Sequence, residues 1–412
     1  MSEKNLTIHV KKLASGICKT LFDEGYTAYF AGGWVRDLLL DKVTDEIDIA
    51  TSAPPFVIQR IFSKTIPVGI AFGVVIVVLE GINFEVTTFR KDHAYHDGRH
   101  PETIDFSTPE KDAQRRDFTI NGMFYDPLSE TIYDYVRGQE DLHHKLIRAI
   151  GDPAERFKED RLRMVRAVRF AARLGFHIEE TTSAAIKASA STLFPSVSIE
   201  RIWQELCKMS AYPHFDQALL MLHTFGLLQI IFPQLASCSQ EELTTRISAF
   251  PYFPMHCPTI VYLLELFPDF TLDERLHLCL YLKTSQHEKK ITEFFTTAQI
   301  LFKQTTIEAV DWAHFYAHPL SELFLSVTAA KVLPPKRLHF LQEHENRRRV
   351  LKKHTERIRG KTPLVTAQHL LNLGIPAGKK MGQLLKQAER IAINEDIHDP
   401  ELVLKKLSID SI

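Results

Sequence analysis

The chain has 412 residues, 45% of them hydrophobic and 25% charged, with a formal net charge of −1. That length exceeds one compact core and calls for two to four domains, and the composition is that of an ordinary soluble globular protein. No apolar run is long enough to span a bilayer, and the near-neutral balance offers no global basic field for a nucleic acid.

In chain order, "MSEKNLTIHVKKLASGICKTLFDEGY" mixes acids and bases with apolar residues at helical spacing. This argues against a secretory signal or transit peptide and predicts a helix over about 8–24. A strand at "TAYFAGG", a helix at "WVRDLLL", a strand at "EIDIAT" and a helix at "PPFVIQRIF" follow. Then come "GVVIVVLE" and "FEVTTFR", flanking Gly81, Ile82 and Asn83 as a hairpin turn. From about 151 the strand signals nearly vanish. Helical periodicity takes over in "EDRLRMVRAVRFAARLGF", "SIERIWQELCKM", "FDQALLMLHTFGLLQIIF" and "HLLNLGIPAGKKMGQLLKQAERI". The fold class read from this pattern is α+β, a sheet-containing head followed by a long helical remainder. Cys18, Cys207, Cys238, Cys257 and Cys279 have no CxxC or paired spacing and read as buried or indifferent thiols, so a cytoplasmic protein is expected. Residues 336–361, "KRLHFLQEHENRRRVLKKHTERIRGK", are strongly basic, either a solvated helix face or a phosphate-tracking surface.

Strand alternation singles out an acid pair. If "EIDIAT" is extended, Ile47 and Ile49 enter the core, while Glu46 and Asp48 share the opposite face with Cα atoms about 7 Å apart. Asp45 would then be a surface or turn residue. Two adjacent carboxylates repel unless a cation lies between them, and oxygen ligands suit Mg²⁺. Glu85 could supply a third carboxylate. Just upstream, Gly32 and Gly33 close a strand and open the helix carrying Arg36 and Asp37. Backbone amides at such a turn can approach phosphates, and the helix start favours negative charge. The combination points to a nucleoside triphosphate with Mg²⁺ on its phosphates and attack by a hydroxyl.

Further along, Asp160 and Arg163 are spaced i, i+3, which would make them neighbours on one helical face. A carboxylate accepts from an exocyclic amine and a guanidinium donates to a ring nitrogen. Cytosine and adenine both present that edge; uracil and guanine put a carbonyl where the amine should be. Such a pair can select C or A with about 1–3 kcal/mol of discrimination and no nucleic-acid template.

The ordered set "AGGWVRDLLL", "DEIDIATSAPP", "GIAFGVVIVV", "FEVTTFRKDHAYHDGRHP", "RRDFTINGMFYD", "DYVRGQEDL", "EDRLRMVRAVRFAARLGF" and "SIERIWQEL" resembles the class II tRNA nucleotidyltransferase and poly(A) polymerase family, over about residues 25–210. The tail "TAQHLLNLGIPAGKKMGQLLKQAE" is similar to the family's RNA-binding segment. The resemblance implies a DNA polymerase β-like head with a small mixed sheet over 1–150 and a base-selecting helical neck over 151–210. A helical body over 211–330 and an RNA-binding helical tail over 331–412 would complete the chain. It assigns the triphosphate to Gly33 and Arg36 and the catalytic metals to Glu46 and Asp48. Arg116 and Asp117 would meet triphosphate and ribose, with Asn121 nearby. Asp160 and Arg163 would read the base, Arg166 and Arg169 would complete the pocket, and Glu200 and Arg201 would brace the helix. The family's usual acid pair is Asp-x-Asp; here Glu46 takes the first place. Gly122 and Val74 stand where Ala and Thr are commoner.

Full CCA addition to tRNA from CTP and ATP is the expected reaction, because "PVGIAFGVVIVV" matches the tRNA enzymes and "RKDHAYHDGRHP" matches the loop tied to terminal A addition. A-only addition and poly(A) synthesis are the alternatives within the family. An RNA- or nucleotide-binding protein with impaired catalysis is the alternative from another class. The loop's His93, His96 and His100 also raise zinc, though no fourth ligand is visible.

Overall fold

The computed structural model describes residues 3–95 and 101–407, and the chain divides into two compact units, Met1–Glu242 and Leu243–Ile412. His96 and His100 lie outside the described residues.

The first unit is built on a seven-stranded sheet. Its elements are α1 (Glu3–Asp23), β1 (Ala28–Ala31), α2 (Gly33–Leu39), β2 (Asp48–Thr51), α3 (Pro55–Ile61), β3 (Thr65–Gly69), β4 (Val74–Leu79) and β5 (Ile82–Thr88). The hairpin β6 (Arg90–Tyr95) and β7 (Pro101–Phe106), helix α4 (Pro109–Gln114), and strands β8 (Met123–Asp126) and β9 (Thr131–Asp134) follow. The strand order is β3-β4-β5-β2-β1-β8-β9, with β2 and β5 parallel and the other neighbours antiparallel. The β4–β5 turn is tighter than the glycine predicts. Glu80 and Gly81 both have positive φ, 50° and 81°, so two residues close it, and Ile82 and Asn83 already belong to β5. This is the two-residue loop whose twist matches paired strands.

Pairing sorts the side chains by face. Phe30, Ile49, Val86 and Tyr125 share one side, where Val10, Ala14, Ile17 and Leu21 of α1 supply the apolar stripe. The other side carries Ala31, Asp48, Ala50 and Phe124. There Ala31, Ala50 and Phe124 pack with Phe89 and with Ala113 of α4. Asp48 thus stands at the open end of a face that is otherwise core.

Beyond the sheet come α5 (Gly138–His143), α6 (Pro153–Glu159), α7 (Leu162–Leu174), α8 (Glu180–Ser189) and α9 (Ile199–Ser210). A two-residue parallel ladder joins Leu146–Ile147 to His177–Ile178. Helix α7 buries Met164, Val165, Val168, Ala171 and Ala172 and stops at Gly175, whose φ of 68° is the left-handed cap that glycine adopts without strain. Phe118 meets Phe170 edge-on at 5.8 Å, fixing α7 against the segment that follows α4.

The second unit is helical throughout its described residues. Two of its helices open with capping boxes, Thr271 with Glu274 and Ser285 with Glu288. Its C-terminal helices bury Leu370, Leu384, Ala388 and Val403 together. The basic run occupies helices Pro334–Val350 and Lys352–Gly360. Arg347 lies over Trp312 at 4.4 Å and Arg348 pairs with Glu322, so part of that charge is internal bracing. Arg349, Lys352, Lys353 and Arg359 are exposed.

Candidate active site

A cleft of about 1140 Å³ opens in the first unit, lined by nine cationic and six anionic side chains, a surplus suited to a polyanionic ligand. The residues assigned to triphosphate, metal, ribose and base all border it: Gly33, Arg36, Glu46, Asp48, Arg116, Asp117, Asn121, Asp160, Arg163, Arg166 and Arg169.

The acid wall departs from the expected register. The strand begins at Asp48, so Glu46 lies in the segment before it, and Asp45, exposed as expected, also borders the cleft. Strand alternation therefore does not place Glu46; the approach to β2 does. The parallel register pairs Ile49 with Val86, which sets Asp48 beside Glu85 of β5. Loss of solvent around the carboxylate, with Glu85 and Glu46 beside it, pushes the Asp48 carboxyl up to about 6, against the opposing pull of Arg116. The hard oxygens of Glu46 and Asp48, both bordering the cleft, suit a divalent cation.

Beside them, Gly32 takes φ 66° at the start of α2 and gives its N–H to Met123 O, and Gly32, Gly33 and Trp34 of this turn border the cleft. A Cβ on Gly32 would come within 3.1 Å of Arg116 Nη1, so a side chain there would press on the guanidinium as well as strain the left-handed φ. Buried Arg36 donates to Asp37 (2.8 Å) and to Asn121 Oδ1 (2.7 Å). Asn121 passes the link on, its Nδ2 donating to Asp117 Oδ1 at 3.2 Å. Asp117 in turn accepts from Arg166 Nη2 (2.6 Å) and Nε (2.9 Å). Burial opposes its ionisation, but Arg166, Arg163 and Asn121 outweigh that and hold the carboxyl down at about 2.

The base-reading pair also departs from expectation. Asp160 has extended backbone (φ −146°, ψ 103°) and ends α6, while Arg163 belongs to α7, so the two are not on one helical face. The i, i+3 ion pair does not form. Arg163 Nη1 reaches Glu159 at 2.6 Å, and its Nη2 donates to Arg115 O at 3.1 Å. The Asp160 carboxylate accepts from Leu162 N–H at 3.0 Å and from Arg201 Nη2 at 2.7 Å. The helix break turns both side chains to the same cleft by another route.

Sequence reasoning missed two anchors. Asp112, 1% exposed, receives Arg115 Nη2 (2.7 Å) and Arg116 Nη2 (3.0 Å) from the two residues just past the end of its helix. Glu205, 2% exposed, receives Arg169 Nε at 2.6 Å and lies 3.8 Å from Arg166 Nη1. The available signal was an acid on the apolar face of α9, among Ile202, Leu206 and Met209, because a carboxylate is rarely so buried without a partner. Arg36, Arg166 and Arg169 also surround the Phe170 ring, at 5.4, 5.5 and 4.2 Å from its centroid. The outcome is a preorganised field of fixed cations beside an acid wall, able to bind a triphosphate and activate attack on it.

Residues 28–148 match the poly A polymerase head domain, and residues 175–239 match a probable RNA and SrmB-binding site of polymerase A. A CCA-adding enzyme of Lactobacillus helveticus is 47% identical over 206 residues, covering 50% of this chain and 51% of that protein, so the match spans about half the length of each. A CCA-adding enzyme of Pediococcus pentosaceus is 34% identical over 394 residues, covering 95% of this chain and 96% of the relative. The crystal structure of the Bacillus stearothermophilus CCA-adding enzyme in complex with CTP matches with a TM-score of 0.79 at 29% identity, covering 96% of this chain and 97% of that one. A Thermotoga maritima CCA-adding enzyme complexed with tRNA shares the fold, with a TM-score of 0.67 at 20% identity over 98% of this chain and 97% of that one. On these matches and on the cleft's geometry, this chain belongs to the CCA-adding enzyme family of nucleotidyltransferases.

Proposed function

We propose that this enzyme adds C, C and A to the 3′ end of tRNA from CTP and ATP, without a nucleic-acid template. The terminal 3′-hydroxyl attacks the α-phosphate and pyrophosphate leaves. The observation that carries this reading is the meeting, in one cleft, of the Glu46 and Asp48 carboxylates with Asp160 and Arg163.

Arg116, the first-turn amides from Gly33 and the network through Arg36 and Asn121 orient the triphosphate. Asp117 fixes Arg166 and borders the ribose. Asp160 accepts from the exocyclic amine of C or A while Arg163 donates to the ring, and Arg169 closes the pocket under the base. Membership of this family implies a divalent metal, and we assign Mg²⁺, held by Glu46 and Asp48, whose hard oxygens suit it. When bound, that cation would stabilise charge developing on the phosphate. The head over 1–150 carries the chemistry and the neck over 151–210 selects the base. The body over 211–330 leads to the tail over 331–412, which holds the acceptor arm on its exposed lysines and arginines. Among the described residues no helix is long and apolar enough to cross a membrane; the cytoplasm, where tRNA is matured, is the proposed location.

The test is incorporation of labelled CTP and ATP into tRNA lacking CCA, with CTP alone, ATP alone and both, against Asp48→Ala. Equal silence of wild type and variant with Mg²⁺ present overturns the enzymatic reading. Product length separates CCA addition from A-only addition and from a poly(A) tail.

A further inference from the structure

We propose that His354, Asp396 and His398 form a zinc-binding site in the C-terminal unit, made of residues that do not line the nucleotide cleft. His354 comes from the helix Lys352–Gly360 and is 2% exposed. Asp396 and His398 come from the turn between the helices Lys379–Asn394 and Pro400–Lys406. One atom, Asp396 Oδ1, faces both rings, at 2.9 Å from His354 Nε2 and 3.3 Å from His398 Nε2. The ligating atoms of all three lie within 4.8 Å of one another.

Four-coordinate zinc, with bonds of about 2.0–2.2 Å, sets its ligands roughly 3.3–3.5 Å apart. The 3.3 Å separation from His398 matches that figure and the 2.9 Å separation from His354 opens by a few tenths of an ångström, while the two rings already lie within 4.8 Å of each other. Two imidazoles and one carboxylate suit zinc over Mg²⁺, which prefers oxygen, and they leave a fourth position for water. The convergence is long-range: a helix residue meets a turn residue 42 positions away. An ion here would tie the basic helix Lys352–Gly360, with exposed Lys352, Lys353 and Arg359, to the turn before the last helix.

Without the ion, each neutral ring can give an Nε2–H to Asp396, while Arg357 Nη1 lies 3.2 Å from His398 Nδ1 and donates to it. Zinc needs the Nε2 lone pair, so the ring proton of His398 moves to Nδ1 and no proton is released from that neutral ring. Nδ1 then no longer accepts, and Arg357 must turn aside. Arg357 therefore opposes the ion, an effect that a purely hydrogen-bonded brace would not produce.

The experiment uses untagged, full-length chain stripped of metal, in an Asp48→Ala background so that the cleft carboxylates contribute little. It is titrated with Zn²⁺ by calorimetry and with Co²⁺ as an optical probe. The expected result is saturable binding of one ion, four-coordinate Co²⁺ bands, and a thermal midpoint raised by zinc. Because loss of buried His354 can disturb folding, the variants are His398→Ala and Asp396→Asn, at partly and well exposed positions. Each is expected to lose at least about tenfold in affinity. Arg357→Ala is expected to bind more tightly than the parent. Equal affinity in the parent and His398→Ala, or no saturable site at micromolar zinc, overturns the proposal and leaves the cluster as a hydrogen-bonded brace.

Discussion

Arg201 of α9 holds the Asp160 carboxylate at 2.7 Å, at the break between α6 and α7, while Leu162 N–H fixes its other oxygen. The carboxylate that would accept a base's exocyclic amine is thereby aimed by a residue from a different helix. Asp160→Ala should lose preference for C and A over U and G by roughly ten- to a hundredfold, the value of about 1–3 kcal/mol of edge recognition. Triphosphate binding should fall much less. Arg201→Ala should shift selectivity the same way by a smaller factor. Incorporation measured with all four nucleotides checks this, and unchanged selectivity in Asp160→Ala would sink the reading.

The Asp48 carboxyl, pushed up to about 6 by desolvation, Glu85 and Glu46, makes metal binding depend on pH. A cation needs the ionised form, so Mg²⁺ affinity should fall as pH drops below about 6. Stability without metal runs the other way. The native protein holds this proton more tightly than the unfolded chain, whose carboxyl titrates near 3.8, so the contribution weakens as pH rises from about 4 to 6. Asp48→Asn should remove both dependences and leave the metal-free protein more stable at neutral pH. Calorimetric Mg²⁺ titrations and urea unfolding at pH 5, 6 and 7 decide it; affinity flat across that range contradicts it.

Glu46 stands where the family usually has Asp. Because it approaches the site from the segment before β2, its longer side chain is not bound by strand geometry. Glu46→Asp should retain measurable turnover. Glu46→Gln and Asp48→Asn should each lose at least about a hundredfold in rate, since the metal's contribution is worth several kcal/mol. Single-turnover kinetics with saturating CTP is the measurement.

Glu205 touches no proposed substrate position, yet it anchors Arg169 at 2.6 Å from inside the core. Glu205→Gln keeps the shape and weakens a charge-assisted bond. It should cost about 1–3 kcal/mol in urea unfolding. It should also raise KM for CTP and ATP alike, with kcat changed less. A rise for one nucleotide alone would place Glu205 in base selection instead.

Much of this was legible in the chain itself. Short apolar and β-rich runs marked β1, β4 and β5, alternation marked β2, and helical periodicity marked α7 and α9, because burial imposes those patterns locally. Motif order named the residues of the cleft. Register and turns were less legible: the β4–β5 turn fell on Glu80 and Gly81, and Glu46 fell outside its strand, since a strand's start depends on which neighbour it finds. The partners of the site's charges were decided only in three dimensions. Asp160 and Arg163 look like an i, i+3 pair, but a helix break separates them, and they bind Arg201 and Glu159 instead. Glu205, Asp112 and the link from Arg36 through Asn121 to Asp117 join residues distant in sequence or hidden among apolar neighbours. Local sequence sets which side chains are present and which face they occupy. Which charge compensates which is set by folding, because a buried ion is stable only where the whole tertiary structure brings it a partner.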